Sequence, residues 1–225
     1  MVKLSKMELW IDYTEKIILP SVGATIRMTL ISMVLACIFG FLLSIVLVLY
    51  GPNNGLKPRP KVYKILDFII NIIRAFPIII LIVAISPITK ILVGTTIGEK
   101  AAIFPLTIAA IPFIARVIEN CLLEVDKQLI EVAKSFGASN LQIIVHYMIK
   151  ESLPAILSGI TLCTINFLTA TTLAGAVGAG GLGSVALNYG YQSFNNFILY
   201  FSVFIILILV EAIQLTGNFV YKKLK

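Results

Sequence analysis

The sequence has 225 residues, of which 59% are hydrophobic and 13% charged, with a net charge of +7 and a mean hydropathy of +1.00. Soluble domains are closer to half apolar and a quarter charged. This composition therefore predicts a multi-span membrane protein, with one transmembrane domain over residues 1–225, and excludes an additional soluble domain. The basic residues lie in short connections and form no patch, which argues against nucleic-acid binding.

The hydrophobic segments, taken in chain order, predict five transmembrane helices. The first runs from about Ser21 to Tyr50 and ends at the turn signal Gly51-Pro-Asn-Asn-Gly. No short apolar core with a cleavage site comes before it, so we expect no removable signal peptide. The later segments lie at about Ile65–Pro87, Ala101–Ile118, Pro154–Val177 and Asn195–Val220. We therefore expect an all-α integral membrane fold in contact with a lipid bilayer.

The distribution of lysine and arginine predicts the orientation, because cytoplasmic loops are enriched in both. If the connection after the first helix is cytoplasmic, eleven basic residues lie inside and five outside. The inside set is Lys57, Arg59, Lys61, Lys64, Arg116, Lys127, Lys134, Lys150, Lys222, Lys223 and Lys225. The outside set is Lys3, Lys6, Lys16, Lys90 and Lys100. The N-terminus is then outside, the C-terminus is cytoplasmic, and residues 127–150 form a cytoplasmic loop.

This loop has the pattern of two short amphipathic helices. Apolar residues recur at helical spacing on one broad face of the first helix, namely Leu129, Ile130, Val132, Ala133 and Phe136. The face of the second helix is formed by Leu141, Ile144, Val145 and Met148. Taken by itself, the pattern fits either an interfacial loop that rests on lipid or an element that docks on a soluble partner.

The junction of the two short helices carries explicit end signals. Gly137 stands where a helix ends in the left-handed conformation. Ser139 and Gln142 form a capping box for the second helix, and Pro154 marks the entry to the next span. The sequence therefore predicts a sharp, defined bend at Gly137.

The spacing within the loop resembles the EAA loop of ABC-importer permeases, in which Glu-Ala-Ala is followed after three residues by Gly and later by Ile-x-Leu-Pro. The matching residues are Glu131, Ala133, Gly137 and Leu153-Pro154; Val132 replaces the first alanine, and the ending reads Glu151-Ser-Leu-Pro. Other blocks are similar to the methionine branch of these permeases. They are Val93-Gly-Thr-Thr-Ile-Gly, Ala101-Ala-Ile-Phe-Pro-Leu-Thr, Pro112-Phe-Ile-Ala-Arg-Val-Ile-Glu-Asn and Gly175-Ala-Val-Gly-Ala-Gly-Gly-Leu-Gly.

The resemblance implies a homodimer of five-helix subunits in the bacterial plasma (inner) membrane, with one pore at the dimer axis. Each loop would dock as a coupling helix on one of two cytoplasmic ABC ATPase subunits, and an extracytoplasmic substrate-binding protein would deliver the substrate. ATP and Mg²⁺ would be bound by the ATPase, so no cofactor, metal or catalytic residue is expected in this chain. The implied coupling residues are Leu129, Ile130, Glu131, Ala133, Lys134, Phe136, Gly137 and Ala138.

The glycine-rich segment 175–183 contains G-x-G-x-x-G, but it follows a spanning helix and lacks an acidic residue about 20 positions later, so it is not a dinucleotide site. Gly94-Thr-Thr-Ile-Gly-Glu-Lys likewise has the wrong spacing for a phosphate loop. Two interpretations of the glycines remain. They form either a closely packed, flexible re-entry or a pore constriction where two subunits meet, with Leu173 as a gate.

Hydroxyl side chains in the fourth span form a second candidate site. Thr161, Thr164, Leu168, Thr172 and Gly175 share a stripe, and its hydroxyls either mediate helix contacts or line a path for an amino acid. The full candidate pore set is Thr161, Thr164, Asn166, Thr169, Thr172, Leu173, Gly175, Gly178, Gly180, Gly181 and Gly183.

Charged residues inside the spans are costly. Snorkelling toward an interface accounts for Asp67 and fits Arg27 and Glu211. Arg74 lies deeper, so we expect it to pair with a partner or to face water.

The resemblance therefore implies the permease subunit of an ATP-driven importer, for methionine, working by alternating access. No nucleophile–base pair or paired-carboxylate motif indicates an enzyme. Within the same class, the alternative is an importer of another amino acid or a short peptide. Outside it, the alternatives are an ion-driven secondary transporter or channel using Asp67 and Glu211, and a purely structural membrane anchor.

Overall fold

The computed structural model describes residues 13–52 and 55–224, and over these residues the chain is helical with no strand. The eight main helices are α1 (Thr14–Tyr50), α2 (Pro60–Ala75), α3 (Ile78–Ala84), α4 (Ser86–Val93), α5 (Glu99–Leu123), α6 (Lys127–Ser135), α7 (Asn140–Val177) and α8 (Asn196–Leu224). Short helical segments at Gly181–Ser184 and Val185–Tyr191 lie between α7 and α8. Lys3, Lys6 and Lys225 of the orientation count, and Asn53 and Asn54 of the turn signal, lie outside the described residues.

Four of these helices, α1, α5, α7 and α8, are long and apolar enough to cross a membrane, and α2 with α3 makes a fifth candidate if the pair is one broken span. The prediction of an all-helical, multi-span chain is therefore confirmed. Outward-facing apolar residues follow one face of α1 at Leu30, Val34, Ile38 and Leu42, each more than half exposed. Lipid tails cover such a stripe in a membrane-spanning helix.

The second predicted span, Ile65–Pro87, is wrong as one continuous helix. α2 ends at Ala75, and Phe76 is extended, with φ −73° and ψ 130°. Pro77 is the cause: its ring disfavours the helical conformation of the preceding residue, and it has no N–H to continue the helical hydrogen bonds. A further bend at Ile85, with φ −94° and ψ 6°, separates α3 from α4.

The contacts of the chain divide it into two compact units. The glycine unit comprises described residues 13–33, 77–107 and 165–212; the hairpin unit comprises described residues 34–52, 55–76, 108–164 and 213–224. Each of the four long helices contributes residues to both. The core of the glycine unit is formed by Ile18, Leu182, Val185 and Ile198.

The core of the hairpin unit is formed by Leu47, Ile70 and Ala115, with Tyr63 and Leu66 packed on it. Small residues set its helix contacts. A Cβ added at Gly40 would come within 2.8 Å of the Ile114 side chain, and one at Gly159 or Gly217 would overlap Val117 or Thr161. Close backbone approach at glycine is the usual way in which helices pack inside a membrane.

Candidate functional site

The hairpin that follows α5 comprises α6 and the first turns of α7, residues 127–148. Asp126 begins α6, because its Oδ1 accepts a 2.9 Å hydrogen bond from the backbone N–H of Gln128. At the other end Gly137 has φ 78°, as predicted. Its N–H donates to the carbonyl of Lys134 (2.9 Å), and Ala138 N–H donates to that of Ala133 (3.1 Å). These two bonds form a Schellman motif.

The second helix of the hairpin begins with the predicted capping box, which is confirmed. Gln142 N–H donates to Ser139 Oγ (3.3 Å), and Ser139 N–H donates to Gln142 Oε1 (2.8 Å). The chain then passes through a π-helical turn at Ile143–Met148 before the regular helix at Ile149–Ala174. Each end of the bend at Gly137 is therefore fixed by its own pair of hydrogen bonds.

The apolar residues predicted for each helix of the hairpin are divided between buried and exposed positions. Ala133, Ile143, Ile144 and Met148 are buried, and Leu129 and Ile130 are half-buried. The exposed apolar patch consists of Val132 (52% exposed), Phe136 (84%), Leu141 (63%) and Val145 (41%). The division arises because α6 packs on Ile143–Met148. One edge of each predicted face is used in that contact, and the other edge is left outward.

Glu131 and Lys134 lie on the opposite side of α6. Both are exposed, and with Lys127 they line a groove that also includes Gly55 and Leu56 of the α1–α2 connection. Asp126 caps the N-terminus of α6, and Glu131 is the fifth residue of that helix. Ala138 is half-buried.

The glycine-rich segment belongs to the glycine unit and is closely packed. A Cβ on Gly183 would overlap the carbonyl oxygen of Thr172, and one on Gly175 would overlap the backbone nitrogen of Ser184. Gly181 has φ 73°, and a Cβ there would come within 2.6 Å of Thr25 Oγ1. These contacts fit the close packing that the first interpretation of the glycines requires.

Hydrogen bonds tie this segment to its surroundings. Thr25 Oγ1 accepts from Leu182 N–H (2.9 Å), and Gly98 N–H donates to the carbonyl of Gly178 (2.8 Å). Gly178 and Gly180 have φ of 90° and 81°. The segment is therefore held from α1 and from the start of α5.

The threonines of α7 donate to their own helix. Thr161 and Thr164 each donate to the carbonyl four residues earlier at 2.8 Å, Thr169 donates to Ile165 at 3.4 Å, and Thr172 to Thr169 at 2.7 Å. The stripe Thr161–Thr164–Leu168–Thr172–Gly175 turns partly or fully inward, with Leu168 and Gly175 buried. The outward face of α7 in the glycine unit instead carries Asn166, Thr169 and Leu173.

Charged side chains in the spans have partners that the sequence did not reveal. Arg27 makes a bidentate pair with Glu99, both bonds 2.7 Å. In the hairpin unit, Arg116 pairs with Asp67 and with Glu119 at 2.8 Å. Tyr63 OH donates to Glu119 Oε1 (3.0 Å) and accepts from Arg116 (3.2 Å).

Two sequence interpretations are corrected, one by an ion pair and one by the bounds of α5. Asp67 does not snorkel alone, because Arg116 neutralises it. Arg116 is not a loop residue, because it lies inside α5. Within the sequence, the only sign of this cluster is the i, i+3 spacing of Arg116 and Glu119.

The described chain thus has helices long enough for several spans, closely packed glycines and a hairpin that leaves four apolar side chains outward. Residues 40–224 match the family of binding-protein-dependent transport system inner membrane components, and the chain belongs to this family. It is thus an inner-membrane transport component, and the resemblance to importer permeases is confirmed.

Individual relatives agree with this assignment. The chain is 39% identical over 209 residues to the probable D-methionine transport system permease protein MetI of Vibrio cholerae, covering 93% of this chain and 92% of the relative. It is 42% identical over 168 residues to the methionine import system permease protein MetP of Bacillus subtilis, covering 75% and 76%. A solved structure of the MetNI methionine ABC transporter in inward-facing conformations superposes with a TM-score of 0.91 at 34% identity, covering 99% of this chain and all of that one.

Proposed function

We propose that the chain is the permease subunit of an ATP-binding-cassette importer and that it carries methionine across the membrane by alternating access. The relatives named for methionine transport, at 39% and 42% identity, and the superposition on a methionine ABC transporter support the substrate. Two copies form one transmembrane pathway, each chain being a single domain of five spans with its N-terminus outside and its C-terminus cytoplasmic.

The ATPase belongs to two separate cytoplasmic subunits, which bind ATP and Mg²⁺, and an extracytoplasmic binding protein delivers the substrate. The exposed apolar patch of the hairpin is the observation that carries this proposal. Val132, Phe136, Leu141 and Val145 project from an element whose ends are fixed by hydrogen bonds. Such a patch marks a contact with protein or membrane, and the superposition on a MetNI transporter supports a protein. Burial of one large apolar side chain contributes about 1.5–3 kcal/mol.

The candidate pathway residues are those on the outward face of α7. We propose that Asn166, Thr169 and Leu173 line the path, with Leu173 as the gating side chain. The glycines at 175, 178, 180, 181 and 183 then hold the following segment close to α1 and α5. The hydroxyl of Thr169 donates within its own helix, so it offers the substrate only weak acceptor contacts.

The experiment is co-expression of the chain with the ATPase and the binding protein of a methionine importer from the same organism, followed by affinity purification and reconstitution in proteoliposomes. Phe136→Ser should weaken co-purification of the ATPase and lower ATP-driven methionine uptake. Ile91→Ser is the matched control, because Ile91 is 83% exposed on α4, which the orientation places outside. Equal ATPase recovery from the two variants would contradict docking at the patch. A screen of other amino acids and short peptides in the same vesicles tests the substrate.

A further inference from the structure

A polar seam runs along the contact of α2 and α5 within the hairpin unit. α2 contributes Tyr63, Asp67, Asn71 and Arg74, which recur at helical spacing. α5 contributes Phe113, Arg116 and Glu119. At one end of the seam the side chains hydrogen-bond to one another; they are those of Tyr63, Asp67, Arg116 and Glu119. Asn71 and Arg74, at the other end, are exposed.

Arg74, in the last turn of α2, lies beside the middle of α5. Its guanidinium carbon lies 4.9 Å from the centre of the Phe113 ring. Phe113 is in the middle of α5, which runs from Glu99 to Leu123, at about 15 Å from either end or more at 1.5 Å per residue. Among the described residues, no carboxylate lies within ion-pair distance of Arg74. A cation without a carboxylate partner is costly to place against lipid tails, and a polar environment on the outward side of Arg74 would remove that cost.

The Asn71 amide has a fixed orientation. Its Nδ2 donates to Asp67 Oδ2 at 3.1 Å, while the other oxygen of Asp67 accepts from Arg116. Because a carboxylate can only accept, the amide nitrogen must face Asp67. The carbonyl oxygen Oδ1 of Asn71 therefore remains available as an acceptor. Asn71 and Arg74 are neighbours on α2, with Cβ atoms about 5–6 Å apart at i, i+3 spacing.

We propose that Asn71 and Arg74 form an amino-acid site on the translocation path. The Arg74 guanidinium binds the substrate carboxylate, and Asn71 Oδ1 accepts from its ammonium group. The guanidinium N–H groups of Arg74 lie beside the acceptor oxygen of Asn71, so the pair can bind a carboxylate and an ammonium group of one zwitterion. The Asp67–Arg116–Glu119 cluster positions Asn71 through Asp67, and Phe113 supports Arg74. The inference rests on the proposed import of an amino acid, and it places selection for the zwitterion within the membrane subunit.

The experiment measures binding to the purified permease–ATPase complex in lipid nanodiscs, without the binding protein. The ligands are radiolabelled methionine, its alcohol methioninol, and 4-methylthiobutanoate, which lacks the amino group; the ATPase alone gives the background. Arg74→Met should weaken methionine binding about tenfold or more and leave methioninol binding unchanged. Asn71→Leu should weaken methionine and leave 4-methylthiobutanoate unchanged. Arg59→Met is the matched control, because Arg59 also stacks on a ring, Tyr50 at 5.4 Å, at the start of α2.

Equal weakening of all three ligands, or of none, would overturn the site. Arg74→Lys is the second variant, for the case in which the Arg74→Met complex does not assemble. It retains the charge and should bind methionine with intermediate affinity. Affinity equal to that of the wild type would count against a bidentate contact. ATP-driven uptake by the wild-type complex distinguishes failure of the Asn71–Arg74 site from failure of the proposed amino-acid import. If the wild-type complex imports methionine but the variants weaken all three ligands equally, only the site is contradicted. If the wild-type complex imports no amino acid, both the site and the proposed function are contradicted.

Discussion

The backbone N–H of Ala138 donates to the carbonyl of Ala133 at 3.1 Å, across Gly137 at φ 78°. A Cβ at Gly137 would meet no atom within 4 Å, so conformation rather than space favours glycine here. An L-residue in the left-handed region costs about 1–2 kcal/mol. The hairpin would therefore relax away from this bend if Gly137 carried a side chain.

We expect Gly137→Asp to lower uptake several-fold while the protein still inserts and ATP hydrolysis continues, because the bend that orients the patch would be altered. Uptake and ATPase rate should be measured in the same proteoliposomes. Gly94→Asp is the matched control, with φ 84° and no atom within 4 Å of its Cβ, in the α4–α5 connection. Unchanged uptake by Gly137→Asp would refute the coupling role of the hairpin.

The local signals in the sequence were the most reliable guide to the fold. The capping box at Ser139 and the positive φ at Gly137 depend on residues within about five positions of each other, and both are confirmed. The broken second span was missed because hydropathy responds to Ile78–Ala84 as an apolar run and not to the backbone of Phe76. The signal in the sequence is Pro77, which disfavours the helical conformation of Phe76.

The parts of the site that depend on distant contacts could not be predicted. Asp67 and Arg116 are 49 positions apart, and no pattern within either helix indicates that they meet. The outward position of Phe136 likewise depends on α6 packing against Ile143–Met148. Periodicity gives the apolar face of a helix, but it does not say which edge of that face a neighbour will cover.

Close packing in the glycine-rich segment predicts which of two glycine-to-alanine variants is the less stable. Gly183→Ala should destabilise the purified complex by about 1–3 kcal/mol, because its Cβ would overlap the Thr172 carbonyl. Gly180→Ala is the control: it has the strained φ of 81°, but no atom lies within 4 Å of its Cβ. Melting temperatures from fluorescence-detected gel filtration give the comparison. A Gly183→Ala complex as stable as Gly180→Ala would contradict the packing described here.

The buried cluster around Arg116 predicts unequal effects of its members. Glu119 is 2% exposed at its side chain and pairs with Arg116. Arg116→Met leaves the Glu119 carboxylate buried without its cation and should cost about 3–5 kcal/mol. Glu119→Gln keeps one acceptor oxygen for Arg116, and its amide N–H can donate to Tyr63 OH if that hydroxyl turns to accept. It should cost less, because Arg116 still pairs with Asp67. Thermal unfolding of the two variants, with the double variant to measure coupling, tests this order; the reverse order would show that the charge pair is not what stabilises the contact.

The orientation can be tested with single cysteines in a background in which Cys37, Cys121 and Cys163 are replaced by alanine. If the loop at 127–150 is cytoplasmic, a membrane-impermeant maleimide should label Phe136→Cys in inside-out vesicles and leave it unlabelled in intact cells. Lys90→Cys should show the opposite pattern, since Lys90 is exposed and belongs to the outside set. Both side chains are exposed in the chain by itself, so the labelling is done with the chain expressed without its ATPase, which would otherwise cover Phe136. Labelling of Phe136→Cys in intact cells would place the hairpin outside, where no ATPase could reach its apolar patch.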